Sequence, residues 1–198
     1  MTARLARLHR ITWLLGGVIA VLLAAASARA DINLFGSYHD NVARAAAQND
    51  AFKVRQLVGR GSGSNPNQVD ENGRTGLQIA AINGNLQIAA ILMKASANLD
   101  LRDKLGNTAL HYATDRNQVE MAQLLLDVGA AVDPENRNGM TPLMLAASRG
   151  NIEIVRALLA KGADFRKVDF TGRDALGWAR EGRRPAVVRA LQRAANKR

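Results

Sequence analysis

The chain repeats itself at a fixed interval. Gly73, Gly106, Gly139 and Gly172 stand at successive intervals of 33. The segments that follow also recur: Gly73-Arg-Thr-Gly-Leu-Gln-Ile-Ala-Ala81, Gly106-Asn-Thr-Ala-Leu-His-Tyr-Ala-Thr114 and Gly139-Met-Thr-Pro-Leu-Met-Leu-Ala-Ala147. A fixed period of this length implies stacked units, each too small to bury its own apolar face. Such an array works by presenting an extended surface. The functional question therefore becomes which partner the chain meets, more than which reaction it performs.

Each unit reads as loop, helix, turn, helix. In Asp103 to Glu135, Asp103-Lys-Leu-Gly106 predicts a tight turn with positive φ at the glycine. Thr108 is placed to cap a first helix that runs to about Arg116. Pro142 after Thr141 suits a first helical position. Gly84, Gly150 and Asn117 are placed to stop first helices, and a second helix is expected over about Val119 to Asp127. Apolar rows recur in register: Leu77, Leu110, Leu143 and Leu176; Leu92, Leu125, Leu158 and Leu191; Ile88, Met121, Ile154 and Val187. A row of Ala80, Ala113, Ala146 and Ala179 lets helices approach closely.

These motifs resemble the ankyrin-repeat family, whose unit reads Asp-x-x-Gly-x-Thr-Pro-Leu-His-x-Ala-Ala and then Gly-x-x-x-Ile-Val-x-Leu-Leu-x-x-Gly-Ala. The resemblance covers about residues 40 to 198 and implies an all-α ankyrin-repeat solenoid of helix–turn–helix units with short hairpin-like turns. Departures are Gly76 and Ala109 for proline, Gln78 and Met144 for histidine, and Asp174-Ala-Leu-Gly177 in the last unit. The expected divisions are a degenerate N-capping unit over about 40–69, repeats at 70–102, 103–135 and 136–168, and a C-capping unit at 169–198. The first unit's helices precede their counterparts by one position more than the repeat interval, which places an insertion in Gly61-Ser-Gly-Ser-Asn-Pro66. Arg180 and Gln192 stand where inner units carry apolar or small residues, as a polar outer cap requires.

Residues 1–30 read as a secretory signal. Arg4, Arg7 and Arg10 precede an apolar run from Ile11 to Ala26, and Ala28-Arg-Ala30 supplies a cleavage site. The pattern is of bacterial type. It predicts cleavage after Ala30, a short linker over 31–39, and a periplasmic or secreted protein. An uncleaved membrane anchor is the alternative, although the run is short for a span of about 20 residues.

The sequence has no cysteine, so thiol chemistry, disulfides and cysteine metal sites are excluded. The formal charge of +10 comes from 27 basic and 17 acidic residues. It is uneven: residues 166–198 hold 10 basic and 3 acidic side chains, while 31–165 are near neutral. The basic last unit is expected to act as a polar cap, with a weak electrostatic contact to an anionic membrane surface as the further reading. Nucleic acid is not an expected partner of an exported protein.

No catalytic, cofactor or metal motif appears. His111 fills the family's Thr-x-Leu-His slot, where a structural hydrogen-bonding role is expected. Asp100, Asp103 and Asp133 are expected to cap turns. The resemblance places the partner surface on the turn tips and the ends of the first helices. The residues matching it are Arg74, Asn83, Lys104, Leu105, Arg116, Arg137, Met140, Arg149, Phe170 and Arg173. Leu105, Met140 and Phe170 are expected as exposed apolar anchors, with Arg74, Arg137 and Arg173 beside them. The function expected is that of a monomeric, non-enzymatic, exported module that binds a protein partner. The alternatives are an inhibitor or immunity-type protein that blocks an exported enzyme, and a membrane-tethered scaffold if the signal stays attached.

Overall fold

The computed structural model describes residues 41–59 and 64–196. The expected signal peptide, its cleavage site and the linker lie outside the described residues, as do residues 61–63 of the expected insertion site at 61–66. Among the described residues the helices follow in chain order: α1 Val42–Ala47, α2 Ala51–Val58, α3 Gly76–Asn83, α4 Leu86–Lys94, α5 Ala109–Asp115, α6 Val119–Asp127, α7 Pro142–Arg149, α8 Ile152–Ala160, α9 Ala175–Glu181 and α10 Pro185–Ala195. The only β feature among the described residues is an isolated bridge between Val69 and Thr75. None of the described helices is long and apolar enough to cross a membrane.

Consecutive helices pair as hairpins, and the hairpins stack in two layers. The first helices pack in the order α1, α3, α5, α7, α9; behind them α2 meets α4, α6 meets α8 and α8 meets α10. The alanine row makes the inner stack close: Ala80, Ala113, Ala146 and Ala179 are all 0 % exposed. The leucine row Leu92, Leu125 and Leu158 lies between the layers and is likewise fully buried. One unit supplies half of each such contact and its neighbour supplies the other half, so the core exists only in the stack.

Local chemistry sets the helix ends. The Thr75 hydroxyl accepts from Gln78 N–H at 3.2 Å, and Gln78 Oε1 accepts from Thr75 N–H at 2.7 Å, a reciprocal cap. Asp174 caps α9 by accepting from Gly177 N–H at 2.7 Å. First helices stop where the chain turns left-handed, at Gly84 (φ 67°), Asn117 (φ 55°) and Gly150 (φ 83°). Gly76 stands where the family favours proline, and a Cβ there would be tight against both α1 and α4, 3.1 Å from Val42 Cγ1 and 3.2 Å from Leu92 Cδ1. At the far end Arg180 and Gln192 are exposed, the solvated face of a terminal unit.

Candidate functional site

The tips are built on one template. The N–H of Asp70, Asp103, Asn136 and Asp169 donates to the carbonyl four residues on, at 2.9–3.1 Å. The turn glycine's N–H donates back to the first residue's carbonyl at 2.9 Å. The side-chain Oδ1 then accepts from the N–H groups two and four residues ahead; for Asp103 these are Leu105 and Asn107, both at 2.9 Å. This ring of bonds satisfies the turn's own amides and is why Asp or Asn opens each tip.

Successive tips are tied through their backbones. Lys104 N–H donates to the Asn72 carbonyl at 3.2 Å, Arg137 N–H to Leu105 at 3.0 Å, and Phe170 N–H to Asn138 at 3.2 Å. The turn glycines are required twice over here. Gly106 and Gly139 have φ of 78° and 74°. A Cβ at Gly106 would also lie 2.8 Å from Arg137 N, and one at Gly139 would lie 2.7 Å from the Phe170 ring. The tips therefore form one continuous strip whose spacing is set by backbone bonds.

The residue two before each glycine projects outward from this strip, and so does the residue one before it. Lys104, Leu105 and Arg137 are exposed, Leu105 by 63 %, and Phe170 is 77 % exposed with its ring over Gly139. Val69 and Val168, which flank two of the tips, add exposed apolar surface. At the ends of the first helices, Asn83, Arg116 and Arg149 are exposed. Arg149 reaches back to Asp115 at 2.6 Å, an ion pair between neighbouring units. Lys104 Nζ donates to the Glu71 carbonyl at 2.6 Å. Arg116 and Arg137 make no ion pair among the described residues.

The residue just after each glycine behaves differently, and this corrects an expectation. Met140 is not an exposed anchor: its side chain is half-buried and packs on the core. Arg74 and Arg173 are half-buried too and are already engaged. Arg74 pairs with Asp70 at 2.7 Å. Arg173 lies 3.9 Å over the Trp178 ring and pairs with Glu181. In the same slot Asn107 accepts from Asn136 Nδ2 at 3.0 Å. The chain has already turned back toward the helices at this slot, so its side chain meets the body of the repeat.

His111 performs the structural role expected of it. It is 1 % exposed. Its Nδ1 accepts from Thr108 N–H at 3.1 Å, which leaves Nε2 protonated to donate to the Met140 carbonyl at 3.1 Å. Burial pushes its pKa down to about 4, and the bond to Met140 only partly offsets that. Asp100 and Asp133 clamp units together, accepting from Ala131 N–H and Asp164 N–H at 2.9 Å each. Among the described residues no three His, Asp or Glu side chains stand close enough to hold a metal ion.

Two aromatic partners of the tips escape the sequence reasoning. Tyr112 donates to Asp103 Oδ2 and Trp178 Nε1 donates to Asp169 Oδ2. Each stands nine residues after its aspartate, and that shared spacing is the signal that could have found them.

The model of ankyrin repeats (3 copies) matches residues 42–138 and 128–198. The chain is also 45 % identical over 60 residues to the E3 ubiquitin-protein ligase MIB2 of Gallus gallus, a stretch covering 29 % of this chain and 6 % of that protein. Ankyrin repeats of this kind generally bind protein partners. With the family model spanning the described repeats from α1 to α10, the chain belongs to the ankyrin-repeat family.

Proposed function

We propose that this protein is an exported binding module whose strip of tips and first-helix ends grips an acidic, apolar-bearing segment of a protein partner. The carrying observation is the pairing of Leu105, 63 % exposed, with Phe170, 77 % exposed, on a strip held by backbone bonds. Large apolar side chains at a rigid surface gain from being covered. Around them stand Lys104, Arg116 and Arg137, whose charge favours acidic groups. The strip is ordered before binding, so association costs little conformational entropy. The signal-like residues 1–30 support export to a bacterial periplasm, with the chain from Asp31 as the working form.

The test is capture from periplasmic extract by wild type and by the Leu105→Asp/Phe170→Asp double variant, identified by mass spectrometry. Loss of a specific acidic partner with an unchanged circular dichroism spectrum is the expected result. Equal capture by both proteins would remove the strip from consideration. Intact-mass measurement of the exported species should give a chain that begins at Asp31. An inhibitor or immunity-type role would appear as an exported enzyme among the captured proteins.

A further inference from the structure

A second charged feature lies on the other layer. Helices α8 and α10 pack side by side, and between them is an open cavity of about 420 Å³ lined by Arg156, Leu159, Ala186, Arg189, Ala190 and Arg193. Three arginines, one leucine and two alanines line it, and no acidic side chain does. All three arginines are exposed.

The register makes this arrangement unusual within the array. Arg156 and Arg189 stand one repeat interval apart and so occupy one slot of consecutive units, where the inner units carry Ala90 and Gln123. Arg193 follows Arg189 by one helical turn and shares its face. Helices in contact run roughly 8–10 Å apart, so the three arginines share one open cavity whose lining holds no acidic side chain. Elsewhere the array neutralises many of its cations: Arg74 with Asp70, Arg149 with Asp115, Lys161 with Asp127, Lys167 with Glu135 and Arg173 with Glu181. Arg156, Arg189 and Arg193 make no ion pair among the described residues. Glu153, one turn before Arg156, is exposed and does not line the cavity. An exposed cationic cluster with no acidic neighbour in its lining adds nothing to the fold's stability and suits an anionic surface outside it.

We propose that Arg156, Arg189 and Arg193 form a docking site for the phosphate headgroups of an anionic bilayer. Guanidinium groups bind phosphate oxygens in bidentate fashion. A basic helix face with a shallow apolar strip suits the headgroup boundary, where Leu159 and the two alanines meet the upper acyl region. The excess of basic over acidic residues in 166–198 adds longer-range attraction. The site lies on second helices and shares no residue with the partner strip. This inference gives a definite site to the weak membrane contact expected of the basic last unit, and it does not depend on the partner strip.

Co-sedimentation of the full chain with vesicles tests it. Vesicles of pure phosphatidylcholine are compared with vesicles containing about one-third phosphatidylglycerol. Any insertion of the apolar run at 11–26, and any attraction through Arg4, Arg7 and Arg10, is common to wild type and every variant, so the site is read from the differences between them. Wild type should prefer the anionic vesicles, and the preference should vanish near 0.5 M salt, roughly where screening becomes complete. The Arg156→Gln/Arg189→Gln/Arg193→Gln variant should lose that preference by roughly tenfold to a hundredfold, since each arginine near an anionic surface contributes most of a factor of ten. A control, Arg102→Gln/Arg116→Gln/Arg137→Gln, removes the same charge from exposed positions that do not line the cavity and should stay within about threefold of wild type. Wild type without any preference would sink membrane contact altogether. Equal losses in the two variants would leave only a diffuse charge effect and overturn the site. Saturation of the site by inorganic phosphate, at the concentration that displaces the vesicles, would reassign it to a soluble anion and overturn the bilayer.

Discussion

Trp178 Nε1 donates to Asp169 Oδ2 at 2.9 Å, and the Arg173 guanidinium stacks 3.9 Å above the same indole. The indole thereby joins the last tip to helix α9. Tyr112 does the same for Asp103 and α5, whereas Arg74 serves Asp70 from within the tip. A tip carboxylate has a second oxygen that the turn itself does not satisfy. Each of these units recruits a different donor for it.

The Trp178→Phe variant should therefore be less stable by about 1–3 kcal/mol, the cost of leaving a buried charged acceptor short of a partner. Burial alone would raise the Asp169 pKa, but bonds from Thr171, Arg173 N–H and Trp178 outweigh it and hold the carboxyl below its usual range. A depressed carboxylate stabilises the fold above its unfolded pKa, near 3.8. That contribution is lost as pH falls through the folded value. Without the indole donor the depression is smaller, so the gap between wild type and variant should narrow from pH 7 to pH 3 in urea melts. A gap that widens on acidification would show that Trp178 does not act through Asp169.

His111 sets a different pH window. It is neutral in the folded protein with a pKa of about 4, against 6.5 when unfolded. The unfolded chain takes up the proton first, so stability falls as pH drops from about 6.5 to about 4, by on the order of 3 kcal/mol. Gln78 fills the same slot one unit earlier. Its Oε1 accepts from Thr75 N–H at 2.7 Å, and its Nε2 donates to the carbonyls of Leu101 at 2.8 Å and Asn107 at 2.7 Å. His111→Gln should keep the bonds and discard the titration. Its stability at pH 7 should stay within about 1.5 kcal/mol of wild type, with a flatter profile between pH 6.5 and pH 4.5. An unchanged profile would assign the acid sensitivity to other groups.

Leu125 is 0 % exposed at the centre of its row. Leu125→Ala should cost about 2–5 kcal/mol in a denaturant melt. Arg116→Ala, at an exposed helix end, should change stability by no more than about 0.5 kcal/mol. Comparable losses would mean that the tip layer, and not the leucine row, carries the stack.

Thr114 occupies a slot that Ala81 and Ala147 fill in neighbouring units, and its hydroxyl is buried without a hydrogen-bond partner among the described residues. Replacing the hydroxyl by a methyl keeps the shape and removes the desolvation cost. Thr114→Val should raise stability by about 1 kcal/mol. A loss of similar size would imply a bridging water at that oxygen.

The fixed period and the local turn and cap signals, read from the sequence alone, determined the helical solenoid, the register of Leu92, Leu125 and Leu158 and the positive φ at Gly106 and Gly139, while the role of His111 came from the resemblance to the ankyrin-repeat family. Periodic sequence repeats one local solution, so each copy reports on the others. Met140, Arg74 and Arg173 were beyond its reach. Their slot lies close to that of Leu105 and Phe170 in sequence, and only the path of the chain after the glycine separates inward from outward. The pairing of Trp178 with Asp169 and the sharing of one cavity by Arg156, Arg189 and Arg193 were decided by tertiary structure for the same reason. Both depend on which side chains meet once units stack, and a one-dimensional repeat records spacing along the chain without recording the direction a side chain takes from it.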